Sequence, residues 1–193
     1  AGLNIAQGVE KVEPDTTCFA FVGDSTFFAS AITGVVNAVY NQANMILVVL
    51  DNSTTAMTGH QPHPGTGRTV MGEIVQKINI EQVLRGIGVT EIETINPLEL
   101  EASVSCVKRM AEKSGVRAII FKAPCIAVTR PKAPLHVDQD SCIGCKKCIR
   151  DLGCPAIVMN DGKVCIDASM CTGCHLCSQV CPVCAIAGGD DHE

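Results

Sequence analysis

Two cysteine runs constrain the fold of this chain more than any other feature of its sequence. The first, "CIGCKKCIRDLGCP", begins at Cys142, and the second, "CTGCHLCSQVCP", begins at Cys171. Each run has the form Cys-x-x-Cys-x-x-Cys, is followed by a more distant Cys-Pro, and continues into Ala-Ile. An internal repeat of this kind predicts a small domain built around two metal centres.

The spacing of these cysteines favours iron–sulfur clusters over zinc. Three thiolates two residues apart can wrap one face of a cubane, and the proline-linked fourth cysteine of each run ligates the other cluster. This crossed pattern predicts two [4Fe-4S] clusters, bound by Cys142, Cys145, Cys148 and Cys181 and by Cys171, Cys174, Cys177 and Cys154. A pair of structural zinc sites is the alternative, but zinc would leave the third cysteine of each triplet and the Cys-Pro residues without a role.

The other cysteines help to divide the chain and to indicate its surroundings. Of the 13 cysteines, only Cys18, Cys106 and Cys125 precede the first run. An odd total, with no signal peptide and no apolar run long enough to span a membrane, argues against a secreted disulfide framework. We therefore expect a cytoplasmic protein whose thiols are reduced and available as metal ligands. Cys165 and Cys184 fall outside the repeat and are expected to pack in the core of the small domain.

Charge and proline content indicate further boundaries. The formal net charge is −5, from 15 Lys and Arg against 20 Asp and Glu, so no basic surface is available for nucleic acid. Most of the negative charge lies near the end, where the acidic tail "GGDDHE" is expected to be disordered. The segment "PCIAVTRPKAPLHVD" contains three prolines. We predict a first domain over residues 1–130, a linker over 131–137 and a second domain over 138–193.

The first domain reads as alternating strands and helices. Apolar runs predict strands at 17–23 and 45–52, and the helical spacing between them predicts a helix over 26–42. The same alternation continues to residue 123, which favours an α/β fold with a doubly wound, mostly parallel sheet. The first twelve residues read as a helix with no strand before it to pack on. We therefore expect this chain to be part of a longer polypeptide.

Polar residues follow two strands that should be neighbours in this sheet. "Gly23-Asp24-Ser25" ends the first strand and "Asp51-Asn52" ends the second, at the edge where open α/β sheets bind ligands. Mg²⁺ needs about six oxygen ligands, few of them from the protein. Asp24 can provide a carboxylate, Asn52 a side-chain carbonyl and Thr54 a main-chain carbonyl. The small residues that follow allow backbone N–H groups to approach an anion such as a diphosphate.

The loop after the second strand, "LDNSTTAMTGHQPHPGTG", also contains two histidines. Imidazole is a common proton carrier near neutral pH, so His60 is a candidate catalytic or substrate-contacting residue, ahead of His63. Loop histidines are more often structural or solvated, and that alternative remains open for both. Thr58, Gly59 and Gln61 are expected to line the same pocket.

Both halves of the chain resemble known families. The cysteine repeat resembles bacterial two-cluster ferredoxins, a small α+β fold, although five residues separate Cys148 from Cys154 where three are usual. "Gly-Asp-Ser" followed after 26 residues by Asn52 is similar to the signature of thiamine-diphosphate modules, with Ser25 in place of a glycine. Together, "GDSTFF" and the long loop resemble the alpha subunits of indolepyruvate ferredoxin oxidoreductases, which also end in a two-cluster domain.

The resemblance implies an activity and a set of partners. It implies that Mg²⁺ and thiamine diphosphate bind at Gly23, Asp24, Ser25, Asn52, Thr54, Thr58 and Gly59. The expected reaction is oxidative decarboxylation of an aryl 2-oxoacid with coenzyme A, with electrons passing through the clusters to external ferredoxin. The expected protein partners are the rest of the alpha chain and a beta subunit, without which these residues should be inactive. The alternatives are a pyruvate or 2-oxoglutarate enzyme, or an electron carrier fused to an α/β domain without cofactor.

Overall fold

The structure, a computed structural model, describes residues 1–188, which form two compact units. The first unit is Ala1–Val128 and the second begins at Thr129. Residues 189–193, which make up nearly all of the predicted disordered tail, lie outside the described part. Within residues 1–188, no helix combines the length and the apolar character needed to cross a membrane.

A four-stranded sheet forms the centre of the first unit. Its strands are β1 (Cys18–Gly23), β2 (Met45–Asp51), β3 (Glu91–Ile95) and β4 (Val116–Lys122). They lie in the order β1-β2-β4-β3, and every neighbouring pair is parallel. β2 lies inside the sheet and is buried at all positions except Leu50, as expected for an apolar strand covered on both faces. The predicted parallel α/β sheet is confirmed.

Helices cover both faces of this sheet. Helix α1 comprises Gly2–Val12, α4 comprises Ile80–Ile87 and α5 comprises Leu100–Glu112. The predicted helix over 26–42 is observed as α2 (Asp24–Thr26), a π-helical segment (Phe27–Ala31) and α3 (Ile32–Tyr40). Phe27, Val35 and Leu84 pack on one face of the sheet, and Cys106 and Met110 of α5 pack on strand residues of the other core cluster. Short 3₁₀ turns occur at Ala56–Thr58 and Ile126–Val128.

The strand register brings several polar residues to one edge of the sheet. Gly23 is level with Leu50, and Asp51 is level with Lys122 of β4. Asp24, the first residue of α2, therefore lies one step beyond β1 at the same edge where β2 ends in Asp51. This placement follows from parallel pairing, because all strands point their carboxyl ends in one direction.

The second unit contains two small antiparallel sheets and two short helices. β5 (Leu135–Val137) pairs with β8 (Ile186–Gly188), and β6 (Ile157–Asn160) pairs with β7 (Lys163–Ile166). The turn of the β6–β7 hairpin is Asp161-Gly162, both with positive φ (47° and 78°), as a tight hairpin turn requires. Helix α6 comprises Lys147–Leu152 and α7 comprises Leu176–Val180.

The structure differs from the sequence-based expectation at three places in this unit. Leu135–Val137, expected as the end of a linker, is a strand, because it pairs with β8; Pro131 and Pro134 precede it and so do not interrupt the pairing. Cys184 is exposed rather than packed in the core, and Cys165 is half-buried. The extra residues before Cys154 are accommodated by a longer α6 that ends at Gly153 in the left-handed conformation (φ 57°).

Candidate active site and metal centres

Asp24 is a buried carboxylate at the carboxyl edge of the sheet. It is 3% exposed, and the Ser25 N–H donates to its Oδ1 at 2.7 Å. Its Oδ2 lies 3.1 Å from Nε2 of His63, but the two groups are not aligned as a hydrogen bond, and neither atom has another partner. Burial raises the pKa of the Asp24 carboxyl, and the nearby Asp51 carboxylate also raises it, whereas the Ser25 N–H and His63 lower it.

The imidazole of His63 is held from three sides. The Gly65 N–H donates to its Nδ1 at 3.2 Å, and the Phe28 ring stacks on it with centroids 5.8 Å apart. Space at Gly65 is tight, because a Cβ there would lie 3.0 Å from Cε2 of Phe28 and 3.1 Å from Cε1 of His63. His63 itself is buried. The ring is therefore fixed against the carboxylate of Asp24.

Asp51 and Asn52 organise the start of the long loop. The Ser53 N–H donates to Oδ1 of Asp51 at 3.0 Å, and Nζ of Lys122 lies 3.4 Å from the other carboxylate oxygen. Oδ1 of Asn52 accepts the Thr54 N–H at 3.1 Å. This bond uses only one of the two lone pairs of the amide oxygen, so Asn52 retains the capacity to bind a cation. Thr54 is buried beside it.

The tip of the loop is closed on itself by hydrogen bonds. The Thr55 N–H donates to the Gln61 carbonyl at 3.1 Å, and the Thr58 hydroxyl donates to Oε1 of Gln61 at 2.7 Å. Gly59 has φ 116°, which favours glycine, and His60 is exposed. The structure thus places His63, and not His60, at the carboxylate that the sequence singled out.

A cleft of about 280 Å³ opens beside these residues. It is lined by residues from the ends of three strands and the start of α4, among them Asp51, His63, Lys77, Asn79 and Lys122. The side chain of Asn79 caps α4 by accepting the Gln82 N–H. Charged and neutral polar groups therefore line a cleft that includes His63, the residue in contact with Asp24.

In the second unit, the cysteines predicted for the first cluster surround one cavity. Its lining includes all four of them, together with apolar residues such as Val137 and Ile186. Burial raises the pKa of the Cys148 thiol, and the neighbouring Cys145 and Cys181 thiols also raise it. The Ala185 N–H donates to Sγ of Cys181 at 3.3 Å. The structure therefore brings together one triplet and the Cys-Pro cysteine of the other run.

The cysteines predicted for the second cluster are also neighbours. Burial raises the pKa of the Cys177 thiol to about 11, and Cys174, Cys171 and Cys154 add to this rise because their negative charges would lie close by. The Leu135 N–H donates to Sγ of Cys171 at 3.4 Å. Within residues 1–188, no three or more His, Cys, Asp or Glu side chains converge closely enough to hold a single metal ion.

The repeat is visible in the backbone as well. Gly144 and Gly173 have φ of 66° and 68°, and Lys146 and His175, which precede α6 and α7, have φ of 57° and 61°. Each triplet therefore follows the same path around its cavity. The first run is longer than the second only between Cys148 and Cys154, after its third cysteine, so the backbone of the triplet is unchanged.

The sequence did not indicate that His63 would be buried against Asp24, nor that Phe28 and Gly65 would hold it. The signal available was a Gly two residues after a His in "HPG", which allows the Gly N–H to reach Nδ1. That signal is weak, because the contact also depends on Phe28 from a different element.

These features define the class of protein. A doubly wound α/β unit has a buried carboxylate at its carboxyl edge, and a small unit with two groups of four cysteines follows it in the sequence. The family model "Thiamine pyrophosphate enzyme, C-terminal TPP binding domain" matches residues 1–121. The chain belongs to this family.

Curated relatives match nearly the whole chain. It is 46% identical to the indolepyruvate oxidoreductase subunit IorA of Methanothermobacter thermautotrophicus over 170 residues, which is 86% of this chain and 27% of that protein. It is 38% identical to the subunit of the same name from Archaeoglobus fulgidus over 192 residues, 96% of this chain and 31% of that protein. The chain thus spans roughly 27–31% of the length of these relatives. The resemblance inferred from the sequence is confirmed.

A solved structure shares the fold over about two thirds of the chain. The 2-oxoglutarate:ferredoxin oxidoreductase of Magnetococcus marinus, determined with 2-oxoglutarate, coenzyme A and succinyl-CoA bound, aligns with a TM-score of 0.57. The alignment covers 64% of this chain and 44% of that chain at 19% identity. At that identity the likeness establishes the fold alone.

Proposed function

We propose that this chain is the thiamine-diphosphate-binding and iron–sulfur part of a 2-oxoacid:ferredoxin oxidoreductase that acts on aryl pyruvates such as indolepyruvate. The observation that carries the proposal is the buried Asp24 carboxylate beside the Asp51-Asn52 strand end, in a chain 38–46% identical to proteins named indolepyruvate oxidoreductase subunits. A pyruvate or 2-oxoglutarate enzyme is the related alternative.

The donors at the edge of the sheet fit Mg²⁺. Asp24 provides a carboxylate whose Oδ2 has no aligned hydrogen-bond partner, and Asn52 and the Thr54 carbonyl provide neutral oxygens. A few protein oxygens completed by phosphate oxygens and water make the octahedral set that Mg²⁺ requires. Residues 53–59 are mostly small, so their backbone can approach the diphosphate closely. Thiamine diphosphate, when bound, supplies the electron sink on which a 2-oxoacid loses CO₂.

The two groups of cysteines fit two [4Fe-4S] clusters in crossed ligation. Cys142, Cys145, Cys148 and Cys181 would hold one cluster, and Cys171, Cys174, Cys177 and Cys154 the other. The two N–H groups directed at Cys181 and Cys171 sulfurs would stabilise the reduced clusters, since hydrogen bonds to sulfur offset added negative charge. A carrier with two one-electron centres suits a two-electron oxidation. Measuring iron and acid-labile sulfide in the protein distinguishes this proposal from the zinc alternative, because a cluster contains both and a zinc site contains neither.

The partners follow from the same proposal. The substrates are a 2-oxoacid and coenzyme A, and the electron acceptor is an external ferredoxin. The remaining length of the IorA relatives implies further domains of the same polypeptide, and their description as a subunit implies a second chain. The net charge of −5 gives no reason to expect a nucleic-acid partner.

Cofactor binding to the chain tests the proposal. Thiamine diphosphate and Mg²⁺ together should raise the melting temperature of the first unit, because a ligand that binds only the folded state stabilises it. Asp24→Ala should abolish this shift. The matched control is Asp15→Ala, which removes an exposed carboxylate of the same unit. An unchanged shift in Asp24→Ala would refute the proposed site, and no shift in the wild type would favour an electron carrier without cofactor.

A further inference from the structure

We propose that the exposed surface around the first cysteine run docks an acidic electron-carrier protein. This first-run surface consists of Ile143, Lys146, Lys147 and Arg150. The inference rests on the proposed function, because it assumes that the two groups of cysteines hold iron–sulfur clusters whose electrons pass to an external protein. It names the place on this chain where that protein binds and the sign of the charge that it carries.

The internal repeat allows the two cysteine runs to be compared position by position. Cys145 is exposed, whereas Cys174, its equivalent in the second run, is half-buried. Gly144 is exposed, whereas its equivalent Gly173 is buried. The two glycines have nearly the same φ, 66° and 68°, so the backbone of the runs does not explain the difference. It comes from what lies over each run.

The second run is covered by the segment that precedes and begins β5. The Lys132 N–H donates to the Thr172 carbonyl at 3.3 Å, and a Cβ at Gly173 would lie 2.7 Å from the Ala133 carbonyl oxygen. A Cβ at Gly144 would meet no atom within 4 Å. Electron transfer between proteins slows steeply as the distance between their redox centres grows. A carrier can therefore come closer to the cysteines of the first run than to those of the second.

The two runs also differ in charge. The first run carries Lys146, Lys147 and Arg150 against one carboxylate, that of Asp151, whereas the second run contains no Lys, Arg, Asp or Glu. All three cations are exposed. The Lys147–Asp151 pair is exposed and 4.0 Å apart, and such a pair is weak, so it leaves Lys147 available to a partner. In a chain of net charge −5, this local positive charge favours an acidic partner at the first run.

The first-run surface also has an apolar member. Ile143 is 66% exposed, and it lines the cavity of the first group of cysteines together with Lys146 and Val183. Complexes between electron carriers bury little surface, less than about 1,200 Å², and are weak. An exposed aliphatic side chain beside several cations suits a small contact of this kind, in which charge selects the partner and apolar contact brings it close.

Calorimetric titration of the reconstituted whole chain with an acidic [2Fe-2S] ferredoxin, both proteins being oxidised, tests the inference by measuring a dissociation constant. The double variant Lys146→Gln/Lys147→Gln should weaken binding at low ionic strength by about 2- to 30-fold, as expected for the loss of two exposed charge pairs. The difference should shrink at about 1 M ionic strength, where charges are screened within about 3 Å. Ile143→Thr, which introduces the residue found at the equivalent position of the second run, should weaken binding at both ionic strengths.

The matched control is Lys163→Glu, which changes the net charge by the same amount as the double variant. Lys163 is an exposed residue of β7, and its substitution should leave the dissociation constant unchanged. Carbodiimide cross-linking of the wild-type complex is a second measurement that needs no variant. It joins a lysine amine to a carboxylate of the carrier, and peptide mapping should find the link at Lys146 or Lys147.

Equal losses in the double variant and in Lys163→Glu would show that only overall charge matters and would overturn the inference. A larger loss in Lys132→Glu, or cross-links confined to Lys132, would place the carrier at the second run and would also overturn it. A wild-type chain that holds its clusters but does not bind the ferredoxin would overturn the docking surface and leave the proposed function intact. A wild-type chain that takes up no iron and sulfide would instead overturn the proposed clusters.

Discussion

The two equivalent glycines of the cysteine triplets should respond differently to the same substitution. Gly144 and Gly173 have nearly identical backbone conformations, with φ of 66° and 68°. A Cβ at Gly144 would meet no atom within 4 Å, whereas a Cβ at Gly173 would lie 2.7 Å from the Ala133 carbonyl oxygen and 2.7 Å from Cβ of Lys132. The segment at 132–133 is fixed there, since the Lys132 N–H donates to the Thr172 carbonyl at 3.3 Å.

The size of the difference follows from these contacts. Placing Ala in the left-handed region costs about 1–2 kcal/mol, and this strain is common to both variants. Gly173→Ala adds an overpacking penalty of about 1–3 kcal/mol, because the opposing atoms belong to the backbone and cannot rotate away. The second penalty corresponds to roughly a 5- to 140-fold difference in rate, at about 1.4 kcal/mol for each factor of ten. Gly144→Ala therefore measures the strain, and Gly173→Ala measures strain and steric overlap together.

The assay is loss of visible cluster absorbance from reconstituted, oxygen-free protein in denaturant. The rate is the proper quantity, because cluster loss is irreversible. Gly173→Ala should lose absorbance about fivefold or more faster than Gly144→Ala, and should retain less iron and sulfide per chain after reconstitution. Equal rates for the two variants would refute the reasoning, since they would mean that residues 132–133 do not pack against the second triplet.

Three further predictions concern the first unit. Arg117→Met should lower the free energy of unfolding, measured by urea denaturation, by about 2–4 kcal/mol. The buried guanidinium donates to two carbonyls at the end of α5 and to Asn44, and these acceptors would lose their donor. Burial raises the pKa of the Cys106 thiol to about 11, so its contribution to stability is complete below the usual pKa of a free thiol and declines as pH rises toward 11. A Cys106→Ala variant with the same pH dependence of stability would contradict this. Gly86→Ala, where a Cβ would meet no atom within 4 Å, should stabilise the unit by about 0.5–1 kcal/mol. Gly34→Ala should stabilise it less, because its Cβ would lie 2.6 Å from Cδ2 of Leu3 in α1 and that side chain must move aside. An equal or larger rise in melting temperature for Gly34→Ala would contradict the packing argument.

The sequence by itself determined the kind and order of the elements of this protein. The apolar run at 45–52 and the helical spacing over 26–42 depend only on neighbours along the chain. The structure has a strand at the first segment and helical residues at the second. The same holds for the cysteines, because two-residue spacing forces three thiols onto one side of a short loop. Even the crossed grouping of the fourth cysteine, seen around Cys148 and Cys177, follows from the repeat.

Only the tertiary structure decided which of the polar residues meet. His60 and His63 are three residues apart and chemically identical, yet His63 is buried at Asp24 and His60 is exposed. His63 stacks on Phe28, which belongs to a separate element, and its Nδ1 accepts the Gly65 N–H. Likewise, Leu135–Val137 is a strand because β8, about 50 residues later, pairs with it. Burial and strand pairing depend on groups that are distant in the sequence, and the local spacing of residues does not indicate where those groups lie.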